Sequence, residues 1–94
     1  MESQKDDMNR QLMVDGNAVA GLLRQVFGRE VTPAPTECGS CGKRSEIGGL
    51  LSFTHAPGIV LRCSACESVI MRISRTADAI YLDARGAVFL RLPA

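Results

Sequence analysis

Aromatic residues and histidine are scarce in this sequence of 94 residues, which has no Trp, one Tyr, three Phe and one His. General acid–base and nucleophilic catalysis need a nucleophile placed beside a base, and no such pair is evident around the single His55. We therefore expect no catalytic residues and no small-molecule substrate. The scarcity favours a binding or structural module over an enzyme.

A strong charge of either sign is also missing, as is any long apolar run. The formal net charge is +1, and four thiolates holding a divalent ion would add −2, leaving about −1. Nucleic-acid-binding domains carry a much stronger basic bias, so we expect no nucleic-acid partner. No apolar stretch reaches the roughly 18 residues that span a bilayer, and no signal peptide is evident. We expect a soluble cytoplasmic protein without a membrane partner.

The spacing of the cysteines is the most informative feature of the sequence, because it indicates a metal site. Cys38, Cys41, Cys63 and Cys66 form two Cys-x-x-Cys pairs separated by 21 residues. This spacing lets two sulfurs of one tight turn bind the same ion, and two such turns supply the four thiolates of a closed tetrahedral site. Zinc prefers this ligand set, and the closed site leaves no position for a catalytic water. The pattern predicts one structural Zn²⁺ bound by all four cysteines.

Three other uses of these cysteines compete with zinc. Structural disulfides belong to oxidising compartments, and no signal peptide is evident that would direct the chain to one. A thioredoxin-like redox pair needs one Cys-x-x-Cys at the start of a helix in a βαβ unit, which neither pair has. Iron in a rubredoxin-like site suits the Cys38–Gly42 segment, but rubredoxin-like cores use aromatics that are scarce here. Zinc is favoured and iron remains an alternative.

One amphipathic helix is predicted over about residues 15–27, behind a flexible polar tail at residues 1–13. Its apolar residues recur with helical spacing and form one stripe. Asp15 or Asn17 would cap the N-terminus, and Gly28 would end the helix in the left-handed conformation. We expect the stripe to pack on the domain's own sheet. The stripe consists of Val19, Leu22, Leu23, Val26 and Phe27.

A β-hairpin is predicted between the two cysteine pairs. Two alternating apolar runs flank a turn, and Pro57-Gly58 fits the central positions of a type II turn. Centred there, the hairpin sets Thr54 opposite Leu61 and returns the chain to Cys63. The two runs are Leu50–Thr54 and Ile59–Arg62.

A three-stranded antiparallel meander is predicted after the second cysteine pair. Apolar residues alternate at 69–74, 80–83 and 88–92, with turn residues between these segments. Asp83 and Arg85 flank the last turn and are expected to hold it as an ion pair.

These elements together predict a small α+β fold. It is a zinc ribbon, in which antiparallel hairpins meet at the four-cysteine site, with one N-terminal helix and a C-terminal meander. Residues 14–94 are expected to form a single domain. His55 is expected to be a surface turn residue rather than a ligand. Arginines recur in the β portion and are expected to be scattered over the strands: Arg62, Arg72, Arg75, Arg85 and Arg91.

Several short motifs resemble a family of short bacterial proteins of unknown function, whose members look like zinc ribbons behind an N-terminal helix. The resemblance covers about residues 14–92. It implies a metal site at the four cysteines, no assigned activity, and an accessory role beside oxidoreductase components of the molybdenum or flavin type. The motifs are Val14-Asp15-Gly16-Asn17-Ala18, Gly21-Leu22-Leu23, Phe27-Gly28, Cys38-Gly39-x-Cys41-Gly42, Ala56-Pro57-Gly58, Leu61-Arg62-Cys63, Leu82-Asp83 and Arg85-Gly86.

The function expected from the sequence is therefore a non-catalytic zinc-binding module that binds another protein, as an accessory subunit of an oxidoreductase system or a similar assembly. Two alternatives remain open. One is a nucleic-acid-binding zinc ribbon, and the other is a rubredoxin-like iron electron carrier.

Overall fold

The computed structural model describes residues 13–15, 19–55 and 58–93, and the side chains of residues 19–54 and 58–93. Within these residues there are one α-helix, eight β-strands and a short 3₁₀ helix at Ile47–Gly49. The elements are β1 Met13–Asp15, α1 Ala20–Phe27, β2 Pro35–Cys38, β3 Arg44–Glu46, β4 Leu51–His55, β5 Gly58–Arg62, β6 Val69–Arg75, β7 Ile80–Asp83 and β8 Ala87–Leu90.

The strands form two antiparallel sheets. The larger sheet has five strands in the order β1-β4-β5-β6-β7, and the smaller has three in the order β3-β2-β8. Every neighbouring pair is antiparallel. The prediction of a small α+β fold with one helix and antiparallel sheets is confirmed for the described residues.

The hairpin β4–β5 forms where it was predicted, but its register differs by two residues. Thr54 pairs with Ile59 rather than with Leu61, and His55 pairs with Gly58. Residues 56 and 57, which link the strands, lie outside the described residues. A shift of two leaves every side chain on the same face, so the hydrophobic alternation alone does not distinguish the two registers.

The predicted C-terminal meander is wrong in its last strand. β6 and β7 pair as expected, with Arg72 opposite Asp83, but β8 leaves this sheet and pairs with β2, Thr36 opposite Leu90. Strand β2 pairs with β3 on one side, and β8 pairs with it on the other side. The Thr36 hydroxyl secures the pairing by donating a 2.9 Å hydrogen bond to the Phe89 carbonyl.

The helix is shorter at its start than predicted. Asp15 lies in β1, and the N-cap position is Val19, which makes no side-chain capping bond. Asn17 and residues 1–12 lie outside the described residues, and Met13 of the predicted tail is in β1. The helix ends at Phe27, where Gly28 adopts a φ of 71° and donates its N–H to the Arg24 carbonyl. The predicted C-terminal end is confirmed.

The apolar stripe of α1 packs on the protein's own core, as expected. Val19 and Leu23 belong to the buried cluster, and Leu22, Val26 and Phe27 pack against it. In the sheets, Val88 of β8 is 60% exposed, and the fully buried residue of β4 is Ser52. The remaining buried apolar residues are Val31, Ala34, Cys38, Ile47, Leu50, Ile59, Leu61, Cys63, Ile70, Met71 and Ile73.

Among the described residues, no helix is both long enough and apolar enough to cross a membrane.

Candidate metal centre

The first cysteine pair lies in a tight turn at the end of β2. The Cys38 N–H donates to the Lys43 carbonyl at 2.9 Å, and the Gly42 N–H donates to the Cys38 carbonyl at 2.9 Å. Inside the turn the Ser40 N–H approaches the Cys38 Sγ at 3.4 Å. Gly42 has a φ of 78°, a left-handed conformation that glycine adopts without a steric cost. We call this turn, residues 38–43, the first knuckle.

The second cysteine pair follows β5 and repeats this geometry. The Cys63 N–H donates to the Ser68 carbonyl and the Glu67 N–H donates to the Cys63 carbonyl, both at 2.9 Å. The Ala65 N–H approaches the Cys63 Sγ at 3.4 Å. Glu67 occupies the position that corresponds to Gly42 of the first knuckle, and it also has a positive φ, of 62°. This conformation costs a side chain with a Cβ about 1–2 kcal/mol. Residues 63–68 are the second knuckle.

The two knuckles face one another and bring all four predicted ligands together. The four Sγ atoms lie within 4.8 Å of one another. Cys38 and Cys66 are 3.6 Å apart at their sulfurs, as are Cys41 and Cys63. These distances far exceed a disulfide bond of about 2.0 Å, and the cysteines are free. A tetrahedral ion with metal–sulfur bonds of about 2.3 Å holds its sulfurs about 3.8 Å apart, so the four residues fit such an ion.

The sulfurs differ in exposure and in acidity. Cys38 and Cys63 are buried in the core, at 2% and 1% exposure, whereas Cys41 and Cys66 are exposed. The hydroxyl and N–H of Ser68 lower the pKa of the Cys66 thiol to about 6. A backbone hydrogen bond from Lys43 lowers the pKa of Cys41, but desolvation and the other three thiols outweigh it and raise that pKa to about 11. Metal binding would deprotonate all four thiols.

Cationic side chains support the knuckles from outside. Lys43 Nζ donates to Ser64 Oγ at 2.9 Å and so joins the first knuckle to the second. Arg62 donates to the Glu67 carbonyl at 2.9 Å, and its guanidinium lies 5.5 Å from the centre of the Phe53 ring. These contacts hold the two turns that carry the four sulfurs. These contacts were not predicted, although Lys43 directly follows the first cysteine motif and Ser64 lies within the second.

A turn after β7 packs directly on the first knuckle. Gly39 donates its N–H to the Gly86 carbonyl at 2.9 Å. A Cβ on Gly86 would lie 1.8 Å from the Val69 carbonyl oxygen, so the chain passes through a space that only glycine fits. The turn thereby lies between strand β6 and the first knuckle, and it carries the chain from the larger sheet to the smaller.

The predicted ion pair in this turn is confirmed. Arg85 Nη2 lies 2.7 Å from Asp83 Oδ2, and the Arg85 N–H also donates to Asp83 Oδ1 at 3.0 Å. Hydrogen bonds from the Arg85 side chain and backbone lower the pKa of Asp83 to about 2. Because the Arg85 side chain is 91% exposed, the pair orients the turn rather than contributing much stability.

The remaining sequence candidates lie away from the knuckles. His55 ends β4 opposite Gly58, at the far end of the hairpin from Cys63. Arg75 donates to Gln25 of α1 at 3.2 Å.

The model of a family of unknown function (DUF6510) matches residues 7–94. The match extends into the segment predicted to be a tail, and it agrees with the resemblance to an uncharacterised family. Neither a curated protein nor a solved structure matches the chain.

Proposed function

The chain belongs to DUF6510, a family of unknown function, and from its metal centre we propose that it is a non-catalytic zinc ribbon that binds another protein. The observation that carries the proposal is the pair of matching knuckles, whose four sulfurs converge to within 4.8 Å. The ligands would be Cys38, Cys41, Cys63 and Cys66, and the ion would be one structural Zn²⁺.

The position of the site supports a structural role for the ion. The first knuckle extends from β2 of the smaller sheet, and the second connects β5 and β6 of the larger sheet. An ion bound to both knuckles therefore ties the two sheets together. Cys38 and Cys63 belong to the apolar core itself, so the same ion would also stabilise the packing around it. Four protein ligands leave no position for substrate or water.

Metal analysis and chelation test the zinc proposal. We expect one Zn²⁺ per chain, no visible colour, and loss of native amide dispersion in NMR spectra when a strong chelator is added, because structural zinc contributes on the order of 10 kcal/mol. Cys41→Ser should have the same effect as the chelator. Ser40→Ala, in the same turn, is the matched control because Ser40 contacts the site through its backbone N–H. A red protein containing iron would point to the electron carrier instead, and retained dispersion after chelation would contradict a structural ion.

Exposed apolar residues support the protein-binding part of the proposal. Val88 lies on β8, at the edge of the smaller sheet, and is 60% exposed. A partner's extended segment can add to such an open sheet edge, and the exposed Val88 would offer it an apolar contact. An accessory role beside an oxidoreductase component agrees with such a surface.

Affinity capture from the native host tests the partner. We expect a protein to be retained in stoichiometric amount after nuclease treatment, and retention to be lost with Val88→Lys while the metal content is unchanged. Retention of nucleic acid alone, with strong salt dependence, would favour the nucleic-acid-binding alternative. Equal capture by Val88→Lys would place the partner elsewhere on the surface.

A further inference from the structure

Strand β7 is an edge of the larger sheet in the described part of the chain. It is short, its one charged residue is the terminal Asp83, and its other three residues are apolar or aromatic. It presents Ile80, Tyr81 and Leu82 in succession, exposed to 43%, 63% and 45%. Exposed edges normally carry charges, prolines or bulges that prevent another strand from pairing. The smaller sheet follows this rule at β3, whose sequence is Arg44-Ser45-Glu46. The apolar edge of β7 is therefore suited to pairing.

The hairpin β6–β7 determines which backbone groups of β7 face outward. The Thr76 N–H donates to the Ala79 carbonyl at 2.9 Å, which makes these two residues a hydrogen-bonded pair. Because bonded and non-bonded pairs alternate along an antiparallel ladder, Tyr81 bonds to β6, whereas Ile80 and Leu82 do not. The N–H and C=O groups of Ile80 and Leu82 point to the open edge, where no strand of the described residues pairs with them.

We propose that two copies of this chain associate by antiparallel pairing of their β7 strands. The twofold axis of this dimer passes between the two Tyr81 residues, which lie opposite each other. A twofold axis perpendicular to the sheet keeps each face on its own side. With the axis at Tyr81, Ile80 lies opposite the partner's Leu82 on one face, and the two Tyr81 side chains meet on the other. Ile80 and Leu82 of each copy then exchange both backbone hydrogen bonds, which gives four bonds between the chains.

The neighbouring residues favour this register over the next possible one. With the axis at Tyr81, Asp83 lies opposite the partner's Ala79, and no like charges are opposed. With the axis at Leu82, Tyr81 would instead lie opposite the partner's Asp83, which sets an aromatic ring against a carboxylate. Apolar cross-strand pairs stabilise a sheet. Since β7 has only four residues, the interface is small and the dimer is expected to be weak.

Sedimentation velocity of the full chain over a concentration series tests the proposal. Wild type should show a reversible monomer–dimer equilibrium. Ile80→Lys and Leu82→Glu should each weaken it by about tenfold or more, since a charge then faces an apolar side chain. Mixing the two variants should restore association, because in the mixed dimer the lysine faces the glutamate while the second pair remains native. With the axis at Leu82 these two charges would not meet.

Two further variants serve as controls, one outside β7 and one at Tyr81 within it. Leu92→Lys, at an exposed apolar residue outside both sheets, should dimerise as wild type does. Tyr81→Lys, at the most exposed residue of β7, should be monomeric and keep its amide dispersion, which provides a test even where the other variants unfold. A wild type that stays monomeric at millimolar concentration would overturn the proposal. So would variants of β7 that dimerise normally, or a mixture that fails to associate.

Discussion

Replacing Gly86 with alanine should weaken both the fold and the metal site, because this residue lies between the two sheets. The added Cβ would lie 1.8 Å from the Val69 carbonyl oxygen and 2.8 Å from the Ile70 Cα. Real Cβ atoms essentially never come within 3.0 Å of a non-bonded heavy atom of another residue, so the two backbones must separate by about 1.2 Å. The obstructing atoms are backbone atoms, and no side-chain rotation relieves the contact.

The loss in free energy of unfolding has two sources, the overpacking by the new methyl group and the hydrogen bond that the moved backbone stretches. Overpacking by one methyl group costs about 1–3 kcal/mol in a well-packed core. Moving Gly86 also stretches the 2.9 Å hydrogen bond from Gly39, which contributes about 1 kcal/mol. We expect a loss of about 2–4 kcal/mol, a large part of the stability of a small domain. Because metal binding and folding are coupled, metal affinity should fall by roughly 30- to 1,000-fold.

Denaturant unfolding of the metal-loaded protein measures the first quantity, and competition with a chromophoric chelator measures the second. Gly21→Ala is the matched control, since a Cβ there meets nothing within 4 Å and the residue lies in α1. It should stabilise the protein by about 0.5–1 kcal/mol. If Gly86→Ala had the unfolding midpoint and metal affinity of wild type, the close packing of this turn on Val69 would be refuted.

Two further predictions concern the helix and the second knuckle. Leu23→Ala should lower the free energy of unfolding by about 2–5 kcal/mol, because Leu23 is fully buried; an unchanged melting curve would show that α1 does not pack on the core. Glu67→Gly should raise stability by about 0.5–1 kcal/mol by relieving the left-handed backbone at φ 62°. Chemical denaturation of the metal-loaded variant would check this, and a lower midpoint would contradict it.

The convergence of the four cysteines and the end of the helix could be predicted from sequence because they depend on short-range chemistry. Two Cys-x-x-Cys pairs encode their own turns, and the stripe before Gly28 encodes a helix that ends there. The Asp83–Arg85 pair was also predictable, since its partners are two residues apart. The sequence did not predict what this turn contacts. In the structure it places Gly86 against Gly39 of the first knuckle.

The sheet topology could not be predicted in the same way, because strand pairing depends on residues far apart in sequence. Alternation identifies β8 as a strand but does not say whether β7 or β2 pairs with it. The hairpin register was wrong by two residues, a shift to which alternation is insensitive. The left-handed Glu67 was missed for another reason. Only the backbone geometry that it shares with Gly42 shows that position to be special.

The unequal exposure of the four cysteines would give a bound metal ion a front and a back, and hence a route for metal exchange. Cys41 and Cys66, one from each knuckle, face solvent, whereas Cys38 and Cys63 lie in the core. A chelator or an alkylating reagent therefore reaches the front pair first, and mass spectrometry of partly alkylated protein should find the label there. An ion would leave stepwise, still held by the back pair while the front pair opens. Its rate of release would then follow the opening of two exposed thiolates rather than the unfolding of the core.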